Sequence, residues 1–330
     1  MRVLFAGSPS IAVPSLEVLC NMEGVELAGV LTNCDSPKGR HGTPLPTGVG
    51  EAAVKILQQP EKHPSAVPDF SVLKPQKLDA AAREQVCALK PDLLVSFAYG
   101  HIFGPKFLSL FPLGGINIHP SLLPKYRGPA PIQAAILNRD AVTGITIQSL
   151  AEEMDSGDIL AQEQLQLTGV ETCGALSGVI AQKAAQMLGA VLRDIAAGKT
   201  ARSPQNHSEA SYCSLVSRKD ALIDWSRSAA EIDAKIRAFD PWPACWTVHN
   251  GKDLLILKAS IYENGASCRS ENVNKPGRVL GIDKQGGILV QTGEGILLAA
   301  ELQYQGKKAL KWQAFLNGAR DFIGSTLGLA

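Results

Sequence analysis

Within residues 1–197, short apolar runs alternate with longer segments of helical spacing, and nothing else in the chain restricts its fold as strongly. Val3-Leu4-Phe5-Ala6 ends at Gly7 and reads as a buried first strand. Residues 9–22 place Ile11, Leu16, Val18 and Leu19 on one helical face, and 27–32 read as a second strand. Helices are predicted over 49–58 and 78–89, and a strongly apolar strand over 93–98. Strands at 115–119 and 143–150 flank a helix at 131–137, and 172–197 form a long Ala-rich helix. Strands that alternate with helices build βαβ units, so the expected class is α/β with a doubly wound, mostly parallel sheet. Ligands bind such sheets beyond the carboxyl ends of the strands.

After residue 197 the pattern changes. Residues 198–211 are polar, contain Pro204 and read as a linker. The following stretch, 212–330, has one helical segment at 229–239 and then short β-rich runs. These are punctuated by Asn250-Gly251, Pro276-Gly277, Gly286-Gly287 and Gly293. Asn-Gly between β-rich runs is a strong hairpin signal. Several short strands at this spacing predict a small OB-like β-barrel, closed by a last helix over 312–323. Two domains also suit 330 residues at a prior of about 150 per domain.

Composition narrows the function classes. A hydrophobic fraction of 45% with 19% charged residues is that of a globular chain. No apolar run approaches the roughly 20 residues that cross a bilayer. Four apolar residues after Arg2 are too few for a secretory signal core, so a cytoplasmic protein without membrane contact is expected. Seven scattered cysteines without a C-x-x-C pair point away from disulfides and from a metal site. Residues 1–198 carry 15 Lys and Arg against 18 Asp and Glu, whereas 199–330 carry 17 against 13. A basic face on the second half is compatible with that balance.

The chemistry concentrates in GGINIHPSLLPKYRGPAPIQAAI, residues 114–136. On a strand, Ile116 and Ile118 face one side, and Asn117 and His119 share the other at the carboxyl end. Pro120 then stops the ladder and leaves the imidazole at a rim. A buried strand seldom spends two such positions on polar groups without a reason. EEMDSGDI, residues 152–159, forms an acidic loop with a flexible Gly157, placed so that Asp155 can approach His119. A carboxylate beside an imidazole fixes its tautomer and favours its charged form. Taken singly, a strand-end His is usually a hydrogen-bonding residue and an Asp near a Gly a turn residue.

INIHPSLLPKYRGPAPIQ followed by GITIQSLAEEMDSGDIL resembles the signature of the 10-formyltetrahydrofolate-dependent formyltransferases. The Asn-x-His pair, the SLLP segment, the RG-x-x-P run and the MD-x-GD loop all occur in order. VLFAGSP at the start is similar to the family's first strand and turn. IDWSRSAAEIDAKIRAFDPWP, residues 223–243, and the late GKKAL resemble the branch that acts on methionyl-tRNA. The resemblance thus spans nearly the whole chain and implies a Rossmann-like catalytic domain with an OB-like tRNA-binding domain. It implies 10-formyltetrahydrofolate as the formyl donor, no metal, initiator methionyl-tRNA as partner, and a monomer. It makes Asn117, His119 and Asp155 the catalytic trio. Ser121, Leu122, Leu123 and Pro124 would belong to the folate site, and Phe97, Ala98, Tyr99 and Gly100 would shape the pterin pocket. Arg40 matches a position the family uses near the tRNA acceptor end.

The implied reaction is attack of a free α-amine on the formyl carbon. The Asn117 amide would donate to the developing oxyanion, a contact worth roughly 10²–10³ in rate. A protonated His119 would add a charged donor, and Asp155 would hold His119 and help proton transfer, worth about 10²–10⁴. The alternatives are the same fold acting on another amine, such as glycinamide ribonucleotide or an amino sugar, and a non-catalytic tRNA-binding module. Only Gly7 stands in the first turn, so G-x-G-x-x-G and dinucleotide binding are poorly supported. Residues 36–48 read as a Gly- and Pro-rich surface loop, and 60–75 have no functional assignment. Lys307 and Lys308, with Lys311, Arg320, Arg218, Lys219, Lys235 and Arg237, could line a basic face toward tRNA. Trp225, Trp242, Trp246 and Trp312 read as core anchors of the second domain.

Overall fold

A computed structural model describes residues 1–37, 42–59, 61, 66–263 and 275–328. The chain divides into two compact units. The first comprises Met1–Pro131, Val142–Gln166 and Ser177–Ser214; the second Ile132–Ala141, Leu167–Leu176 and Leu215–Ala330. Residues 198–211, expected as a linker, lie inside the first unit. Ser203 pairs with Ile159 and Tyr212 with Arg127, so this polar stretch is tied down by main-chain hydrogen bonds. Its lack of large apolar residues reflects polar partners there, not freedom.

The first unit is built on β1 (Arg2–Gly7), β2 (Glu26–Leu31), β3 (Ser36–Pro37), β4 (Pro44–Leu45), β5 (Ala66–Leu73), β6 (Leu93–Phe97), β7 (Gly115–His119), β8 (Val142–Ser149) and β9 (Ile159–Gln166). Between them lie α1 (Val13–Asn21), α2 (Gly48–Gln58), α3 (Ala80–Ala88) and α4 (Pro105–Leu108). Its seven-stranded sheet runs β5-β2-β1-β6-β7-β8-β9. The first five are parallel; β8 is antiparallel to β7, and β9 to β8. Val3 to Ala6 and all of β6 are buried, which explains their unbroken apolar sequence. Each such large side chain stabilises the fold by about 1.5–3 kcal/mol. From β1 the chain builds outward to β2 and β5, then crosses to β6. The order therefore reverses between β1 and β6, which opens a crevice at their carboxyl ends.

Two strands of the seven-stranded sheet escaped the sequence reading, as did the short pair β3 and β4 within the stretch 36–48 read as a surface loop. β5 contains Pro68 and Asp69, residues poor in a central strand; it sits at the sheet edge, where Pro is tolerated. It also supplies a role for part of 60–75. β9 is a polar outer strand, and the acidic 150–158 stretch is the loop that joins it to β8. α6 (Cys173–Ala196) is long and apolar enough to cross a bilayer by length and composition, unlike the expectation from apolar runs alone. Half of that apolar window is buried in the protein, with Ile180, Ala184, Leu188 and Leu192 recurring every four residues.

The second unit holds α5 (Pro131–Leu137, less its first residue) and α7 (Ala229–Ala238). Its antiparallel half-barrel sheet consists of β10 (Trp246–His249), β11 (Lys252–Ile261), β12 (Val279–Asp283), β13 (Gly287–Gln291), β14 (Ile296–Tyr304) and β15 (Leu310–Lys311). The order is β10-β11-β14-β13-β12, with β15 on β14. Asn250 and Gly251 both adopt positive φ, 49° and 71°, the backbone of the two-residue turn that Asn-Gly favours. The last helix, α8 (Trp312–Gly318), stops short of the expected residue 323. Beyond it the chain returns to the sheet through Val279 N–H to Ser325 and Leu327 N–H to Gly277. Trp225 is a core anchor, its Nε1 donating to buried Thr247 at 2.9 Å, but Trp242 is 59% exposed and is not.

Candidate active site

β7 delivers Asn117 and His119 to one face, as alternation requires. In the antiparallel ladder with β8, Asn117 lies opposite Gln148 and His119 opposite Thr146. Directly opposed residues project to the same side of a sheet, so Gln148 points where Asn117 does. The β8–β9 loop then brings Asp155 over that face, its backbone in the left-handed region at φ 54°.

Asp155 is the hub. Its Oδ1 accepts from Gln148 Nε2 at 2.9 Å and from Asn117 Nδ2 at 3.4 Å, and Oδ2 accepts from Gly128 N–H at 2.8 Å. His119 Nδ1 faces Oδ1 at 3.5 Å. His119 Nε2 lies 2.8 Å from the Tyr126 carbonyl, which can only accept, so Nε2 carries the hydrogen. Burial pushes the His119 pKa down, against the opposing pull of the Asp155 charge and the Tyr126 carbonyl. Burial thus favours the neutral ring over the charged donor that a protonated His119 would be, and in the neutral ring the Nδ1 lone pair lies toward a carboxylate.

Glycine makes this geometry possible at two points. Gly128 has φ +112°, and a Cβ there would stand 2.3 Å from the Cys213 carbonyl oxygen. A Cβ on Gly157 would stand 1.8 Å from the Ser149 carbonyl oxygen. Gly157, expected to make the loop flexible, is buried and lets the loop pack onto β8.

The folate assignments divide. Ser121 is fully buried and its Oγ donates to the Lys125 carbonyl; Leu123, Phe97 and Tyr99 are buried as well. The main chain of Ser121 and Leu123 is also spent, on Thr146 and Gln162. Tyr99 stacks on Phe103 at 5.5 Å in an aromatic row, and its carbonyl accepts from Ser8 and Asn33. These four side chains are packed into the first unit's interior. Leu122, Pro124, Ala98 and Gly100 keep accessible surface. Asn33 was missed. It follows β2 at the crevice, donates to the Tyr99 carbonyl at 3.2 Å, and its buried Oδ1 has no hydrogen-bond partner among the described residues. Its signal was a polar residue just after a buried strand.

Gln148, Arg127, Gly128 and Gln205 were also missed as site residues. Gln148 alternates with Ile145 and Ile147 on a buried strand, which is a legible sign. Gln205 lies 50 residues beyond Asp155 in a polar stretch and gives no local sign. Of the tRNA assignments, Arg40 lies outside the described residues. Lys307 and Lys308 are exposed in the β14–β15 turn of the second unit, and among the described residues neither has an ion-pair partner. Lys235 and Arg237 do not belong to a free basic face: Lys235 donates to the Leu222 carbonyl, and Arg237 pairs with Asp233 at 2.8 Å.

The family described as formyl transferase matches residues 1–192, and that described as formyl transferase, C-terminal domain, matches 215–320. A methionyl-tRNA formyltransferase of Treponema denticola is 47% identical over 98% of this chain and 98% of its own length. Another, of Methylacidiphilum infernorum, is 40% identical over 99% and 98%. Solved structures share the fold at lower identity. The N-formyltransferase of Helicobacter canadensis, complexed with folinic acid and dTDP-3-aminofucose, aligns with a TM-score of 0.61 at 19% identity, covering 92% of this chain and 99% of that one. HypX of Aquifex aeolicus with tetrahydrofolic acid aligns at 0.60 and 17%, covering 98% of this chain but 48% of that longer one.

Proposed function

The chain belongs to the formyl transferase family, and we propose that it formylates the free α-amino group of methionyl initiator tRNA with 10-formyltetrahydrofolate as donor. The observation that carries this reading is the convergence of Asn117, His119 and Asp155, with the amide and the imidazole each within 3.5 Å of the carboxylate. Full-length identity of 47% to a methionyl-tRNA formyltransferase supports the acceptor, as does the second unit's match to the C-terminal domain family.

The residues present fit a folate donor. Beside the crevice between β1 and β6, Asn33 Oδ1 has no hydrogen-bond partner among the described residues, and a ring N–H or amino group could fill it. Leu122, Pro124, Ala98 and Gly100 supply accessible surface for a flat ring.

Asn117 uses one amide hydrogen in a long bond to Asp155 and retains a second for the formyl oxygen as that oxygen gains charge. His119 and Asp155 act as one proton-accepting unit. The neutral imidazole takes the amine proton at Nδ1, and the adjacent carboxylate stabilises the cation so formed. The same unit returns the proton to the departing N10. Gln148 and Gly128 hold the carboxylate still during both steps. No bond forms between the enzyme and the formyl carbon. On this reading the protein works as a monomer in the cytoplasm, where initiator tRNA is used, with the exposed lysines of the second unit on tRNA phosphates.

Incubation with 10-formyltetrahydrofolate and methionyl-tRNA tests the assignment directly. Formylmethionine released from the tRNA is the expected product. Its absence, with formylation of glycinamide ribonucleotide or an amino sugar instead, would reject the acceptor.

A further inference from the structure

Arg127 is the largest fully buried side chain, 1% exposed, yet among the described residues no carboxylate lies within ion-pair distance of it. An unpaired buried guanidinium is costly unless its hydrogens are taken. Nε and Nη2 both donate to Gln205 Oε1, at 3.2 and 2.7 Å; Nη2 also reaches His207 Nδ1 at 3.2 Å, and Nη1 reaches the Tyr212 hydroxyl at 3.4 Å. Gln205 Nε2 in turn donates to Gln148 Oε1 at 3.1 Å and to the carbonyls of Asp155 at 2.9 Å and Gly157 at 2.7 Å. Gln148 Nε2 donates to the Asp155 carboxylate at 2.9 Å.

Every donor and acceptor in this series is dictated by its ends. The guanidinium only donates, so Gln205 must turn its oxygen to it. The carbonyls of Asp155 and Gly157 only accept, so Gln205 turns its nitrogen to them, and its two amide hydrogens serve these carbonyls and Gln148 Oε1 with one hydrogen shared between two acceptors. The carboxylate only accepts, so Gln148 must turn its nitrogen to it and its oxygen to Gln205. Neither amide can flip without losing bonds at both ends. A fixed positive charge thus terminates a chain whose other end is the carboxylate of the active site, and the bonds polarise one another in one sense.

We propose that Arg127, Gln205 and Gln148 are positioning residues for formyl transfer, a one-directional hydrogen-bond chain that sets the orientation of the Asp155 carboxylate and the backbone beneath it. This rests on the proposed reaction. Two features set the chain apart from ordinary core packing. It reaches the reacting groups through the side chain of Asp155, and through that residue's own carbonyl it fixes the left-handed backbone that aims the side chain. It also explains why the polar 198–211 segment packs inside the first unit: that segment delivers Gln205.

Gln205→Glu separates the two ends. It keeps an oxygen for Arg127 and adds an opposite charge, but removes the donors to Gln148, Asp155 and Gly157. At similar volume, Gln148→Met removes both the N–H to the carboxylate and the Oε1 that accepts from Gln205, while leaving Gln205 its bonds to Arg127 and to the Asp155 and Gly157 carbonyls. The expected result for each is a folded protein whose kcat for formylation falls about a hundredfold, since small misplacement of a reacting group costs that much. KM for tRNA and donor should stay within about threefold. In nitrogen-15 NMR, the His119 titration midpoint should fall in Gln148→Met, because the charge facing Nδ1 is no longer held there. Either variant with kcat within about threefold of wild type, or with a loss matched by its unfolded fraction, overturns the proposal. A wild-type protein that formylates no tRNA rejects the reaction instead. The NMR midpoint then decides the chain alone, and an unmoved midpoint in Gln148→Met overturns it.

Discussion

His119 Nδ1 lies 3.5 Å from Asp155 Oδ1, with no hydrogen between them while the ring is neutral. The pair is thereby an empty proton site: the imidazole lone pair and the carboxylate face each other across a gap that one proton would fill. Burial keeps the ring neutral and the carboxylate rewards its protonation, which is the balance a group needs to take up a proton and give it back.

Removing the imidazole tests that site. His119→Ala is expected to fold, since it deletes one buried side chain at a sheet rim, while kcat falls by about 10²–10⁴. Formylation assays alongside thermal melts check both halves. A variant with most of the wild-type turnover would rule out the role.

The pH dependence follows from the same shift. With the folded pKa of His119 lowered by burial, the active neutral ring persists below 6.5, the ordinary value. The acid limb of kcat/KM should therefore inflect below pH 6.5. Stability has the same sign. The unfolded chain binds a proton as pH falls through 6.5 and the folded chain does not, so this contribution is complete above 6.5 and is lost as pH falls toward the folded pKa. His249 is lowered by burial too and adds in the same direction. Urea melts at pH 5 and 7.5 should show less stability at pH 5, and His119→Gln should narrow the difference.

Gly128→Ala combines two losses. Its φ of +112° strains any side chain, and the new Cβ would meet the Cys213 carbonyl oxygen at 2.3 Å. Backbone strain of this kind costs about 1–3 kcal/mol. The displaced N–H also releases Asp155 Oδ2. Both the melting temperature and kcat should drop, whereas Gly178→Ala, on α6 with open space around it, should leave kcat unchanged.

The exposed lysines of the β14–β15 turn should act through charge alone. Lys307→Ala and Lys308→Ala are expected to raise KM for tRNA without changing kcat. A lysine that neutralises one phosphate adds about one to the slope of log affinity against log salt, so each substitution should make that slope shallower by about one. Binding measured between 50 and 200 mM salt decides it; identical slopes in wild type and variants would remove these lysines from the interface.

The amino-acid sequence by itself determined the elements whose cause is local. β7 and the central strands are written in apolar runs and alternation, the Asn250-Gly251 turn in its need for positive φ, and the two polar positions of β7 in their shared face. What only the tertiary structure decided has partners far apart in the chain. The antiparallel turn of β8 sets Gln148 opposite Asn117, and Gln205 reaches Asp155 across 50 residues. The buried Arg127 found neutral partners in place of an acid. Whether His119 is neutral was likewise beyond the motif, because the solvent that would favour its charge is excluded by side chains from several separate segments. Periodicity reports which face of an element is buried; it carries no information about which polar group waits on the other side.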